Sequence, residues 1–351
     1  MGNCSCSKAW SQEEWNKSRH GKKLPSNLLW PIENGPEETH REIREGIQRV
    51  GIEDFCNFSS SVLCLCIVTW NMNGKVSYED LVEIVGTNDR DYDLFVVGLQ
   101  EVSRCNVGLL LQTAFGESHS LLAEATMESL HLYVFGTKNS KASIKDIRVD
   151  KHDVGGFGGL IGRKKGAVAI ALNYKDIRLM FISCHLSAHE HNVEERNSQY
   201  RRISKSIFSD ENPYSRTPQI IVWLGDLNYR IQGIDTLSVR SLIQENFQKQ
   251  LTSKDQLLQE AEKGQIFHGF CEGALKFKPT YKYNVGTSNY DTSYKQERVP
   301  SWTDRILFKI ESFANISVTL HSYESIDSIK GSDHKPVRAH LCLKVNNGDE
   351  M

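Results

Sequence analysis

Seven short apolar runs, rich in β-branched and aromatic residues and separated by polar stretches, constrain this chain more than any other feature. They cover residues 62–70, 94–99, 167–172, 178–184, 219–224, 305–309 and 336–343. The longest apolar stretch, 61–70, falls well short of the ~20 residues a membrane helix needs and suits a buried strand. Between the runs lie helical patterns. Val193, Tyr200, Ile203 and Ile207 recur near a helical period, and a second pattern over 237–263 breaks near 251–254. Strands mixed with helices predict an α/β architecture of sheets packed face to face with helices outside, in a single domain over 58–345. Residues 1–57 are polar, carry Pro25, Pro31 and Pro36 as breakers, and hold one helical candidate over 37–50. They are expected to form a lead segment partly docked on the domain, and 346–351 a polar tail.

Composition narrows the chemistry. Hydrophobic residues are 39% and charged residues 25%, the balance of a globular protein. A net charge of -2 provides no bulk attraction for polyanions, so a phosphate-rich substrate must be held by a local cluster of cations and a nucleic-acid partner is not expected. The nine cysteines show neither zinc-site spacing nor a disulfide framework, and no secretory signal opens the chain, so the expected setting is the reducing cytoplasm. Cys64, Cys66 and Cys184 lie inside apolar runs and are expected to be small core residues.

The ends of the runs carry polar residues that a plain loop does not require. The first run leads into TWNMNG with Asn71 and Asn73, and the second into GLQE with Glu101. The fourth leads into SCHLSAH with His185 and His189, and the fifth into GDLNYR with Asp226 and Asn228. The last begins after GSDHKPV, with Asp333 and His334. Singly, each is an ordinary turn or loop residue. Together they supply carboxylates, amides and imidazoles without a nucleophile elbow or a P-loop, a set that suits water as nucleophile. Attack on a phosphomonoester needs its oxygens neutralised, a water activated and the leaving oxygen stabilised. Mg2+ prefers oxygen ligands, so Glu101 with Asn71 suffices as an anchor. Asp226 can orient and deprotonate the water, His185 and His334 can donate to phosphate oxygens, and Asp333 or Asp304 can fix a histidine tautomer.

TWNMNG, GLQE, HLSAH followed by RNSQY, WLGDLNYRI, KPTYKY, RVPSWTDRIL and SDHKPV resemble, in order, the motifs of the inositol polyphosphate 5-phosphatases, a branch of the endonuclease/exonuclease/phosphatase superfamily. The resemblance covers about 60–343. It implies a four-layer α/β sandwich with two central mixed β-sheets flanked by helices, Mg2+ dependence, and hydrolysis of the 5-phosphate of phosphoinositides or soluble inositol polyphosphates. By position it puts Asn71 and Glu101 at the metal with Asn73 nearby, and His185 on the transferred phosphate. It makes Asp226 the base and has Asn228 orient water or phosphate. Asp304 pairs with His334, and Asp333 completes the site. Tyr281, Lys282, Tyr283, Lys295 and Arg298 correspond to residues that hold a neighbouring 4-phosphate in relatives. One departure stands out: GRKKGAV, with Arg163, Lys164 and Lys165, replaces an expected Asn-Lys-Gly stretch.

The first residues, MGNCSCSKAW, resemble a dual-acylation signal, with myristate on Gly2 and palmitate on Cys4 or Cys6, although Cys6 stands where the pattern wants Ser or Thr. Two acyl chains anchor stably where one is marginal, so this reading expects peripheral association with the cytosolic face of membranes. The other reading is an unmodified terminus. Two rival functions share the residue pattern: a nuclease of the same superfamily, and an inactive phosphoinositide-binding module. No heptad pattern points to self-association, and a monomer is assumed.

Overall fold

A computed structural model describes residues 46–53, 62–86, 92–155, 165–209, 217–293, 298–312 and 314–346. In chain order the first elements are β1 (Gln48–Val50), β2 (Val62–Asn71), α1 (Tyr78–Val85), β3 (Leu94–Gln100), α2 (Val107–Phe115), β4 (His119–Met127), β5 (Leu130–Thr137), α3 (Lys138–Ser143) and β6 (Ile144–Asp153). Then follow β7 (Gly166–Tyr174), β8 (Ile177–His185), α4 (Val193–Ser206), β9 (Ile220–Asp226), α5 (Thr236–Gln244), a 3-10 stretch (Gln248–Lys254) and α6 (Gln256–Glu262). The last strands are β10 (Cys271–Gly273), β11 (Asp304–Ile310), β12 (Ile316–Ser325) and β13 (Val337–Val345).

The strands form two mixed sheets, ordered β1-β10-β11-β9-β8-β7-β6 and β12-β13-β2-β3-β5-β4. The central strands are apolar on both faces, which explains their uninterrupted hydrophobic runs. On β2 the odd positions Leu63, Leu65 and Ile67 meet Val222, Leu224, Phe181 and Ile306 of the other sheet in one core. The even positions Cys64, Cys66, Val68 and Trp70 turn outward onto Leu81 and Ile84 of α1 and Val107 and Leu111 of α2. On the far side, Ile182, Cys184 and Trp223 pack on Tyr200 and Ile203 of α4 and Leu257 and Ala261 of α6. Helices, sheet, sheet and helices thus make the expected four layers. Truncating a fully buried residue of the inter-sheet core, such as Leu65 or Phe181, to Ala costs about 2–5 kcal/mol.

The helix expected over 37–50 does not reach its end as a helix: Gln48–Val50 is a strand paired in parallel with β10, and residues 37–45 lie outside the described residues. Arg49 fixes that strand through a 2.7 Å ion pair with the buried Glu272. The sheet therefore recruits residues upstream of 58. The helical pattern over 237–263 is interrupted earlier than expected, because α5 ends at Gln244 and the 3-10 stretch follows. Strands β4, β5, β6 and β12 have no counterpart among the seven runs. β4, β6 and β12 are edge strands with half-exposed positions, so their apolar residues do not run together, whereas β5 is an interior, largely buried strand whose short apolar run over 132–135 stands outside the seven.

Candidate active site

The inner faces of both sheets stay apolar until the last registers, where the same alternation begins to deliver polar groups. β2 continues from Ile67 to Thr69 and Asn71, β3 from Val96 to Gly98 and Gln100, and β8 from Phe181 to Ser183 and His185. Gln100 Nε2 lies 3.2 Å from Thr69 Oγ1 and 3.4 Å from Ser183 Oγ, which closes the apolar core with a buried polar layer. One step further on, strand pairing aligns Gly166, His185, Asp226 and Asp304 side by side across four strands. This alignment requires a glycine at 225: its φ is 141°, and a Cβ there would lie 2.0 Å from the carbonyl oxygen of Cys184.

From the facing sheet, Asn71 Nδ2 donates to Asp226 Oδ2 at 3.0 Å, and Asn71 Oδ1 accepts from the Asn73 N–H at 3.0 Å. Glu101 follows the end of β3 in a left-handed conformation, φ 55°, and its Oε1 lies 4.0 Å from His185 Nε2. A non-glycine residue held there is costly and clusters at functional sites. The turn before β13 closes the site. Ser332 Oγ donates to the carbonyl of Asn71 at 2.7 Å and accepts from the His334 N–H at 3.1 Å.

Three titratable groups have strongly displaced pKa values. His334 Nδ1 lies 2.9 Å from Asp304 Oδ2, which also accepts from Thr280 Oγ1 at 2.7 Å and Thr303 Oγ1 at 2.8 Å. Burial alone lowers the imidazole, but the Asp304 carboxylate beside it prevails and raises it to about 10. His334 is therefore an imidazolium whose Nε2 sits 4.0 Å from Asp226 Oδ2. For Asp226, burial pushes upward, yet the hydrogen bond from His185 and the charge of His334 hold it well below the carboxylate range. His185 is pushed down to about 4, first by burial and then by Lys165, so it is neutral near pH 7. Its Nε2 faces Asp226 Oδ2 at 3.3 Å and also the ammonium of Lys165, and one neutral tautomer satisfies only one of these partners.

Asn228, at φ 57°, donates its N–H to Asp226 Oδ1 at 3.1 Å. Its amide is engaged on both atoms: Nδ2 donates to Leu186 O at 3.1 Å, and Oδ1 accepts from the Arg230 guanidinium. It thus positions Asp226 and Arg230 rather than presenting its amide to water. Asp333 is half-buried and its charge helps to raise His334. Beside the polar layer, Ala188, His189, Glu190, Arg230, Tyr281, Arg298 and Val299 line a pocket of about 110 Å³. The Arg230 guanidinium lies 4.4 Å from the Tyr281 ring centre, and that ring packs on His334 at 4.5 Å. A larger concavity of about 650 Å³ lies elsewhere, against β1 and the 3-10 stretch, away from these groups.

The cationic rim differs from the expected one. Tyr283 is 4% exposed, donates to the Pro279 carbonyl at 3.0 Å and stacks on Tyr290, so it packs behind the rim. Lys282 is paired with Asp291 at 2.7 Å and does not line the pocket. Arg298 does line it, joined by His189 of the SCHLSAH stretch and by Arg230, which lies inside GDLNYR but had no role assigned from sequence. Lys165 is likewise a site residue, from the segment whose departure obscured its role. Lys295, Arg163, Lys164, Gly2, Cys4 and Cys6 lie outside the described residues.

The donor set fits a hard divalent cation: the Glu101 carboxylate and the Asn71 amide oxygen are oxygen donors beside an ionised Asp226. Asp226, Asp304 and His334 also bring ligand atoms within 4.8 Å of one another. With Asp304 occupied by two hydroxyls and the His334 ring, that trio reads better as a charge pair than as a metal cage.

A model of endonuclease/exonuclease/phosphatase family 2 matches residues 68–340. The type IV inositol polyphosphate 5-phosphatase 11 of Arabidopsis thaliana is 56% identical over 327 residues, covering 93% of this chain and 96% of that protein. The phosphatidylinositol 4,5-bisphosphate 5-phosphatase INP51 of Saccharomyces cerevisiae is 34% identical over 307 residues, 81% of this chain but only 32% of that protein. Among solved structures, the inositol polyphosphate 5-phosphatase domain of SPsynaptojanin, in complex with inositol (1,4)-bisphosphate and calcium ion, superposes with a TM-score of 0.70 at 30% identity, covering 81% of this chain and 86% of that one. Likeness that runs nearly end to end with a plant 5-phosphatase, on the same two-sheet scaffold, makes this chain a member of the inositol polyphosphate 5-phosphatase family.

Proposed function

We propose that this chain uses Mg2+ and water to hydrolyse the 5-phosphate of phosphoinositides or soluble inositol polyphosphates. The observation that carries the reading is the single polar layer in which an ionised Asp226 stands between His185 and His334, with Asn71 and Glu101 alongside. Glu101 and Asn71 would hold Mg2+, which would supply charge neutralisation for the phosphate and leaving oxygens. His334, protonated and held by Asp304, donates through Nε2 to a non-bridging oxygen, and Lys165 adds a second cation. Asp226 orients the water first and takes its proton late, in keeping with its low basicity and with a loose transition state in which the nucleophile is little deprotonated.

The pocket beside this layer suits a second phosphate on the same ring. Arg230 and Arg298 offer guanidinium donors, and Tyr281 orients the first of them. The lipid form of the substrate is favoured by the acylation pattern at Gly2, Cys4 and Cys6, which implies a place on the cytosolic face of membranes. The test is phosphate release from inositol 1,4,5-trisphosphate and from phosphoinositide vesicles, beside strand cleavage of abasic-site DNA, each with and without chelator. Chelator-sensitive release from the inositol substrates, lost in Asp226→Ala, is expected; cleavage of DNA alone overturns the reading. Mass spectrometry of the N-terminal peptide from a eukaryotic host decides the anchor, and an unmodified Gly2 removes it.

A further inference from the structure

Away from the polar layer, one group of soft ligands stands in an otherwise aliphatic and aromatic core. Cys64 lies directly across the β2–β13 ladder from Cys342, and Cys66 directly across from His340. Strand alternation turns all four side chains to the helix-facing side of the six-stranded sheet. All are buried, His340 completely. The sulfurs of Cys64 and Cys342 and a ring nitrogen of His340 lie within 4.8 Å of one another, and Cys342 Sγ is 3.2 Å from His340 Nε2.

We propose that Cys64, His340 and Cys342 bind Zn2+, with Cys66, which stands opposite His340 on the same face but outside the 4.8 Å group, turning its side chain inward to close the tetrahedron. With Zn–S near 2.3 Å and Zn–N near 2.0–2.1 Å, a tetrahedral ion holds two sulfurs about 3.8 Å apart and a sulfur and nitrogen about 3.6 Å apart. The three ligand atoms are already within about 1 Å of that spacing. Cysteines alone pass for small core residues. The imidazole is the discriminating member: fully buried, it brings Nε2 to 3.2 Å from Cys342 Sγ, while Tyr92 and His321 pack on the ring at 4.8 and 5.0 Å.

The spacing is invisible along the chain because the two pairs, each at i and i+2, come from opposite ends of the domain. Cys64 stands roughly 23 Å up β2 from Asn71, at the strand rise, so the site is separate from the catalytic layer. The ion would tie together the two strands whose other ends carry Asn71 and the Ser332–His334 turn. Each ligating thiol releases its proton to solvent on binding, and the closed site loads as the chain folds.

The test uses the full chain, expressed with zinc supplied, dialysed against chelator and assayed for metal by mass spectrometry, with a second sample refolded in Co2+. About one zinc per chain is expected to be retained, together with a thiolate-to-cobalt absorption band. Both should be lost in Cys64→Ser/Cys342→Ser and kept in Cys271→Ser. Hydrolysis should return on adding Mg2+ while the zinc count stays constant. The zinc count is independent of the phosphatase assay, so failure of either reading leaves the other testable. Because the double variant alters the core, the wild-type result stands alone: no retained zinc and no cobalt–thiolate band overturns the site. So does equal retention in a folded double variant, or a Cys64–Cys342 disulfide in place of the metal.

Discussion

Replacing Asp304 by Asn keeps the shape of the side chain and removes its charge, which isolates what that charge does to His334. The imidazole stands at about 10 against an ordinary 6.5 although burial acts in the opposite direction, and Asp304 is the largest of the carboxylates that raise it, ahead of Asp226 and Asp333. Without it, the pKa of the buried ring falls toward its ordinary value. At pH 7.5 less of the variant then carries the proton, and kcat should fall by about tenfold for each pH unit above the lowered pKa. The loss should shrink toward pH 5.5, where the ring regains its proton, while the wild type stays flat between the pKa of His185 near 4 and that of His334 near 10. Stability follows the same group. A raised pKa contributes stability that is fully present below 6.5 and disappears as pH rises through about 10, so the gap between wild type and variant narrows over that window. Initial rates from pH 5.5 to 8.5 and urea unfolding across the wider range measure both effects. A loss of equal size at every pH would refute the claim that Asp304 acts by keeping His334 protonated.

Gly225→Ala forces a side chain into the Cys184 carbonyl and should destabilise by at least about 2 kcal/mol, read as a lower urea midpoint with unchanged slope. Lys165→Met removes the ammonium against His185 and should lower kcat about 10–100-fold with little change in the unfolding midpoint. Arg298→Ala should raise KM about 10–100-fold for inositol substrates with a phosphate beside the 5-phosphate and leave a substrate with the 5-phosphate alone unaffected. Tyr283→Phe should leave both KM values unchanged and cost about 1 kcal/mol of stability, since its hydroxyl serves the Pro279 carbonyl. A KM effect in Tyr283→Phe would instead give it a substrate role.

Whether a residue was legible in the sequence depended on whether strand alternation carried it. Asn71, His185, Asp226 and Asp304 were, because each ends or begins a strand on the face that is apolar elsewhere, and a polar residue in that phase is conspicuous. Glu101 falls in the opposite phase. Counted along β3 its side chain belongs with the outward set, and only the left-handed turn at φ 55° brings it round to His185, so its motif pointed to it while its periodicity did not. The surroundings of Lys282 and Tyr283 were not legible for a different reason. Their neighbourhood is set by Asp291 and Tyr290, which return from a loop that no local pattern encodes. Arg230 and Lys165 became visible only once strand pairing brought Gly166 beside His185 and the Asn228 turn aimed a guanidinium at Tyr281. Cys64 and Cys342 follow the same logic. Each is unremarkable within its own run, and only the antiparallel register of β2 with β13 turns two core cysteines and a buried histidine into a set of ligands.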